Sequence, residues 1–156
     1  MKVIFNKEEL QAFIPHRGKM LLLDRIIGYD IEGSMRAEYD ITRDCLFYNP
    51  AVGGVPAWAG FEFMAQAISV FAGIRSRERG EEPKIGFILS IPFMKLDIPV
   101  FMPGKPVDIR VKEIDRTDLI YTFEGEIFWE DKKVMEGRLM VMEVNNDKAQ
   151  ALKEGR

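Results

Sequence analysis

The stretch from Val52 to Ile74, VGGVPAWAGFEFMAQAISVFAGI, is the most hydrophobic in the chain and constrains the fold more than any other. It is long enough to cross a bilayer, which takes about 20 apolar residues. It also carries Pro56, Glu62 and Gln66, and a carboxylate in mid-segment is costly in lipid. It therefore reads as the buried helix of a globular fold, with no membrane span. The helix is expected to start at Pro56, whose missing N–H is no loss in a first helical turn, and to run to about Arg77, ending near Gly80. A helix apolar on nearly all faces must be wrapped by the rest of the chain. Glu62 then needs an explanation.

Glu62, Gln66, Ser69 and Gly73 follow one another at steps of four, three and four residues, which puts them on one face of a helix. Phe61, Phe63, Met64, Ile68, Val70 and Phe71 cover the other faces. The polar groups form a stripe, and a stripe on a buried helix has to meet water, a partner subunit or a ligand, because unpaired burial is penalised. The residues alone leave two readings open, an ordinary wet edge or a functional site.

The remaining chain reads mostly as strand. Asn6 with Glu9 three residues later has the pattern of a capping box and opens a short helix ending before Pro15. KMLLLDRIIGYD (19–30) is expected to be a strand. SMRAEYDIT alternates, with Met35, Ala37, Tyr39 and Ile41 on one face, and Gly33 before it suits a hairpin turn. After the charged connector RSRERGEEP comes IGFILSIPFMKLDIPV, an extended run expected to break at Pro92 and Pro99. Val107, Ile109 and Val111 alternate inward, as do Tyr121, Phe123, Ile127 and Trp129, and DKK (131–133) makes the turn before VMEGRLMVMEV. About six strands and one long helix make an α+β fold, a mainly antiparallel sheet curled around a central helix. One domain is expected over 1–145, with a polar C-terminal tail over 146–156.

Composition narrows the function. A net charge of −3 argues against a nucleic-acid partner. One histidine, His16, and one cysteine, Cys45, are too few for a nitrogen and sulfur metal site, and a lone cysteine forms no internal disulfide. No metal or other cofactor is expected. The start MKVIFNKEEL lacks the apolar core of a secretory signal, so a cytoplasmic location is expected.

Three ordered motifs carry a resemblance. IPHRGKMLLLDRI (14–26), VPAWAGFEFMAQA (55–67) and PVFMPGKPVDIRVKEI (99–114) are similar to the corresponding motifs of the bacterial β-hydroxyacyl-(acyl carrier protein) dehydratases, which have the hotdog fold. The similarity spans about Leu10 to Val144. It implies a hydro-lyase of fatty acid or polyketide and polyene biosynthesis, removing water from a β-hydroxyacyl thioester. Such a reaction needs a base for the C2 proton and an acid for the departing hydroxyl. By resemblance Glu62 takes the role of the family's helix glutamate. A backbone amide near Ala57 or Trp58 would face the thioester carbonyl, Gln66 belongs to the same motif, and Phe61, Phe63, Met64 and Phe93 are candidate walls of an acyl tunnel.

The family's second acid/base residue, a loop histidine in a GHFP context, is absent. Counting back fourteen residues from Glu62 reaches Tyr48 in LFYNPAVGG, the candidate substitute, with Asp44, Cys45 and Asn49 as further polar groups of that loop. His16 belongs to a motif that is not the family's catalytic one and reads as structural. Three accounts stay open: a dehydratase with an altered pair; the histidine-less subunit of a hetero-oligomer with a histidine-bearing hotdog paralogue; or a hotdog thioesterase or non-catalytic acyl-thioester binder. The resemblance implies a homodimer or higher oligomer, or that hetero-oligomer, acting on acyl carrier protein or coenzyme A thioesters. An acidic carrier protein would seek basic residues, of which Arg75, Arg77, Arg79 and Lys84 at the helix exit, and Arg17, Lys19 and Lys95, are candidates.

Overall fold

In the computed structural model, residues 3–82 and 84–144 are described; the expected tail over 146–156 lies outside them. Strands β1 (Phe5–Asn6), β2 (Arg25–Asp30) and β3 (Ser34–Asp40) precede the short β4 (Val55–Pro56) and the long helix, with α1 (Lys7–Leu10) after β1. Helix α2 (Gly60–Glu78) is followed by β5 (Ile85–Leu96), β6 (Val100–Phe101), β7 (Pro106–Thr117), β8 (Ile120–Trp129) and β9 (Lys132–Val144). Seven strands form one antiparallel sheet in the order β1-β2-β3-β7-β8-β9-β5, and β4 pairs with β6.

Period-two patterning decides which face of this sheet meets the helix. Met35, Ala37 and Tyr39 of β3, Val107, Ile109 and Val111 of β7, Tyr121, Phe123 and Ile127 of β8, and Leu139 and Val141 of β9 are buried. They close on Phe63, Met64, Ala67, Val70, Phe71 and Ile74 of α2, also buried. Each large side chain so buried contributes about 1.5–3 kcal/mol relative to exposure. Gly125 permits the close approach of β8 to the helix, since a Cβ there would lie 2.6 Å from Met64 Sδ. This is the hotdog arrangement expected. The 22 residues Ala57–Glu78 are apolar enough to span a membrane, yet here they form the core helix with 61% of the apolar window buried.

The capping box is present, with Asn6 Oδ1 accepting from Glu9 N and Glu9 Oε1 accepting from Asn6 N. Glu130 and Asp131, both at positive φ, make the two-residue turn between β8 and β9, the geometry a right-handed strand twist favours. Two expectations are corrected. The strand expected at 19–30 begins only at Arg25: Leu21, Leu22 and Leu23 are buried without strand pairing, because the backbone there bonds to α2 instead. Nor does Pro92 break β5, which runs through it with register shifts between Ile88 and Phe93. A sheet-edge strand tolerates the missing N–H.

Candidate active site

Helix α2 is preceded by a 3-10 turn at 57–59, so Glu62 falls in the first turn of the α-helix proper. Its half-buried side chain opens on a pocket of about 210 Å³ shared with His16, Gln66, Ile68, Ser69, Ile88 and Val141. A second pocket of about 280 Å³ shares His16, Ile68, Ser69, Gly86 and Val141 with the first and continues to Phe13, Ala72, Lys84 and Glu143. The two make one groove along α2. From Glu62 to Ala72 it follows roughly 15 Å of helix, at about 1.5 Å per residue. Three members of the polar stripe, Glu62, Gln66 and Ser69, line this groove. The stripe is not a plain wet edge.

The fourth member, Gly73, serves contact instead. A Cβ there would lie 2.9 Å from both Cβ and the carbonyl oxygen of Phe13, so only glycine lets the 13–16 segment come this close. Arg17 also ties that segment down. Its guanidinium donates to the carbonyls of Ile14 at 2.8 Å, His16 at 2.9 Å and Gln11 at 3.1 Å. Gln66 fixes residues 20–22 in turn, its Oε1 accepting from Leu22 N at 2.8 Å and its Nε2 donating to the Met20 carbonyl at 2.6 Å. Gln66 therefore lines the pocket, but both ends of its amide are committed to structure.

Several sequence expectations change. The Ala57 N–H donates to the Pro99 carbonyl at 2.9 Å, which removes it as a donor toward a bound thioester. Trp58, next in the chain, has no backbone acceptor for its amide among the described residues, as expected in a first helical turn. Its side chain is 56% exposed and meets Phe47 edge to face at 5.2 Å. Phe61 and Tyr48 are half-buried against the core and border neither pocket. Phe63 and Met64 are fully buried core and Phe93 is 45% exposed on the edge strand, so none of the three walls the groove. The walls are Ile68, Val141, Phe13 and Ile14.

Arg75 is only 6% exposed, bonded to Glu113 at 3.2 Å and set 4.4 Å over the Phe71 ring, so it is no docking residue. Arg17 is likewise spent on carbonyls. At the Lys84 end of the groove, burial pushes the Glu143 carboxyl above its ordinary range, against the opposing pull of Lys84, Arg75 and Arg116. Glu143 was legible in principle: Leu139, Val141 and Glu143 share one face of β9, and an acid on an apolar face is a signal. His16 sits where the two pockets join, rather than packed away from them.

The ApeP-like family, described as ApeP dehydratase, matches residues 8–153. The chain belongs to this dehydratase family. This ApeP-like chain is 27% identical over 152 residues to the 3-hydroxyacyl-(acyl-carrier-protein) dehydratase FabZ of Wolinella succinogenes, covering 94% of this chain and 100% of that one. It is 30% identical over 149 residues to FabZ of Sulfurimonas denitrificans, covering 92% and 99%. Among solved structures, a chain of the dehydratase heterocomplex ApeI:P from Xenorhabdus doucetiae aligns with a TM-score of 0.81 at 27% identity, over 92% of this ApeP-like chain and 95% of that one.

Proposed function

We propose that this chain acts in the cytoplasm on β-hydroxyacyl thioesters of acyl carrier protein or coenzyme A, eliminating water across C2–C3, with Glu62 as an acid/base residue. The observation that carries the reading is the Glu62 carboxylate opening on a groove beside an otherwise buried helix, in a member of a dehydratase family. In the reaction a base takes the C2 proton, and that bonding pair becomes the C2–C3 double bond. The C3–O bond breaks with its pair on oxygen, which leaves as water after accepting a proton from an acid. The Trp58 amide, which has no backbone acceptor among the described residues, is the donor assigned to charge developing on the thioester oxygen.

A second hotdog chain completes the functional unit. Edge strand β5 exposes Ile88, Leu89, Ile91, Phe93 and Leu96, and the loop before α2 exposes Leu46, Val52 and Trp58. A long apolar edge strand is a hazard unless something pairs with it. Either a second copy or a histidine-bearing paralogue suits this face, and the likeness to a chain of a dehydratase heterocomplex supports the paralogue. Tyr48 borders neither pocket of its own chain, so a proton role for it requires a site shared with the partner.

The test is turnover of a 3-hydroxyacyl thioester, read by mass spectrometry, for the chain alone and mixed with a histidine-bearing hotdog paralogue. Loss of water, with the rate rising on mixing, supports the reading. Thioester hydrolysis in place of water loss overturns it.

A further inference from the structure

His16 is the only histidine in the chain, and three separate features deliver it to the groove. Arg17 spends its guanidinium on the carbonyls of Gln11, Ile14 and His16 itself. Gly73 removes the side chain that would hold the Phe13–His16 segment off α2. Gln66 grips Met20 and Leu22 from the same helix that carries Glu62. A histidine serving only to fill space would be expected to satisfy its buried nitrogen, because an unpaired buried polar atom costs about 1–3 kcal/mol. The Nδ1 of His16 is buried and has no hydrogen-bond partner among the described residues. The ring borders both pockets, one of which it shares with Glu62.

We infer that His16 contacts the acyl thioester in this groove and forms with Glu62 a proton-handling pair within this chain, so that a second hotdog chain is required to cover the apolar edge strand and not to supply the histidine. The inference rests on the acyl-thioester reading proposed above. One member of the pair takes the C2 proton while the other gives a proton to the departing hydroxyl. The two are left with exchanged protonation states, and proton exchange with water restores them. The charged groups around the imidazole are Glu62 from α2, Lys84 and Glu143 lining the second pocket, and the adjacent Arg17, whose guanidinium faces carbonyls.

A single histidine gives a single imidazole signal, so NMR of histidine-labelled protein reads the site directly. The probe is the amide analogue of 3-hydroxybutyryl-pantetheine, which keeps the acyl group but resists cleavage. Shifts of the backbone amides of Ser69 and Gly86 report binding in the groove, and shifts of the imidazole report contact with His16. The account expects both to move. In turnover, His16→Gln lowers kcat about 100-fold or more with little change in KM, the range for losing an acid/base group. If the groove amides move while the imidazole signals stay fixed, the His16 role is wrong and the acyl-thioester reading stands. If neither amides nor imidazole respond, the acyl-thioester reading fails and takes the role of His16 with it.

Discussion

Two segments outside the strands pack against the core, one held by bonds that reach far along the chain and the other by local ones. Residues 13–22 are bound to the helix and to themselves by side chains: Gln66 reaches 44 and 46 residues back along the chain, and Arg17 closes the turn over three carbonyls. Residues 42–54 are held by short-range bonds within and next to the loop: Tyr48 N–H donates to the Cys45 carbonyl at 3.0 Å and Gly53 N–H to the Asn49 carbonyl at 3.0 Å, Asn49 Oδ1 accepts from Ala51 N at 2.9 Å, and Asn49 bridges to Gly54. The first segment brings His16 to the groove. The second turns apolar side chains outward. The difference separates what one chain builds by itself, a walled groove with a carboxylate and an imidazole, from what it offers for a second chain to cover.

The comparison breaks most readily at Gln66. Gln66→Leu leaves the Leu22 N–H and the Met20 carbonyl without partners, and stranding those groups is expected to cost about 2–4 kcal/mol, measured by urea unfolding. A loss below about 0.5 kcal/mol would mean that the segment is held by something other than this side chain. Gly73→Val drives a side chain into Phe13 and is expected to cost about 1–3 kcal/mol by overpacking. Crystallography or backbone amide shifts should show the 13–16 segment displaced from α2.

The outward-facing apolar surface, which Trp58 extends beyond the 42–54 segment, should behave differently. Trp58→Ser is expected to change the stability of the isolated chain by less than about 0.5 kcal/mol, as for other exposed positions. The same change should weaken association with a second hotdog chain about tenfold, read by analytical ultracentrifugation. Equal association by the variant would remove Trp58 from the contact face. The smallest effect belongs to Glu143. Burial raises its carboxyl above the value of about 4.3 in an unfolded chain, so its favourable contribution is complete below that pH and is lost as pH rises through the folded value. Glu143→Gln should therefore raise Tm at pH 7 and leave it unchanged near pH 3.5.

What could be read in the sequence was what repeats locally. The alternation through Met35, Ala37, Tyr39 and Ile41 and the four-three-four spacing of the α2 stripe both survive in the structure, because each is set by the period of its own element. The failures were tertiary. Leu21 to Leu23 read as strand because nothing nearby says that Gln66 will take the Leu22 N–H. Ala57 read as an amide donor because the competing Pro99 carbonyl arrives from the far side of α2 and β5. Met64 and Phe63 read as tunnel walls because an apolar side chain looks alike in a core and in a groove. His16 read as structural on family resemblance, and its place in Glu62's groove depends on tertiary contacts made by Arg17, Gly73 and Gln66.

The central claim is that Glu62 handles the C2 proton or that of the leaving hydroxyl. It is tested most directly by incubating a 2-enoyl thioester with the protein in D2O. The deuterium fixed at C2 of the 3-hydroxyacyl product is then measured for wild type and Glu62→Gln. The account predicts deuterium incorporation by the wild type and a rate at least about 100-fold lower in the variant. Incorporation by Glu62→Gln at the wild-type rate would contradict it.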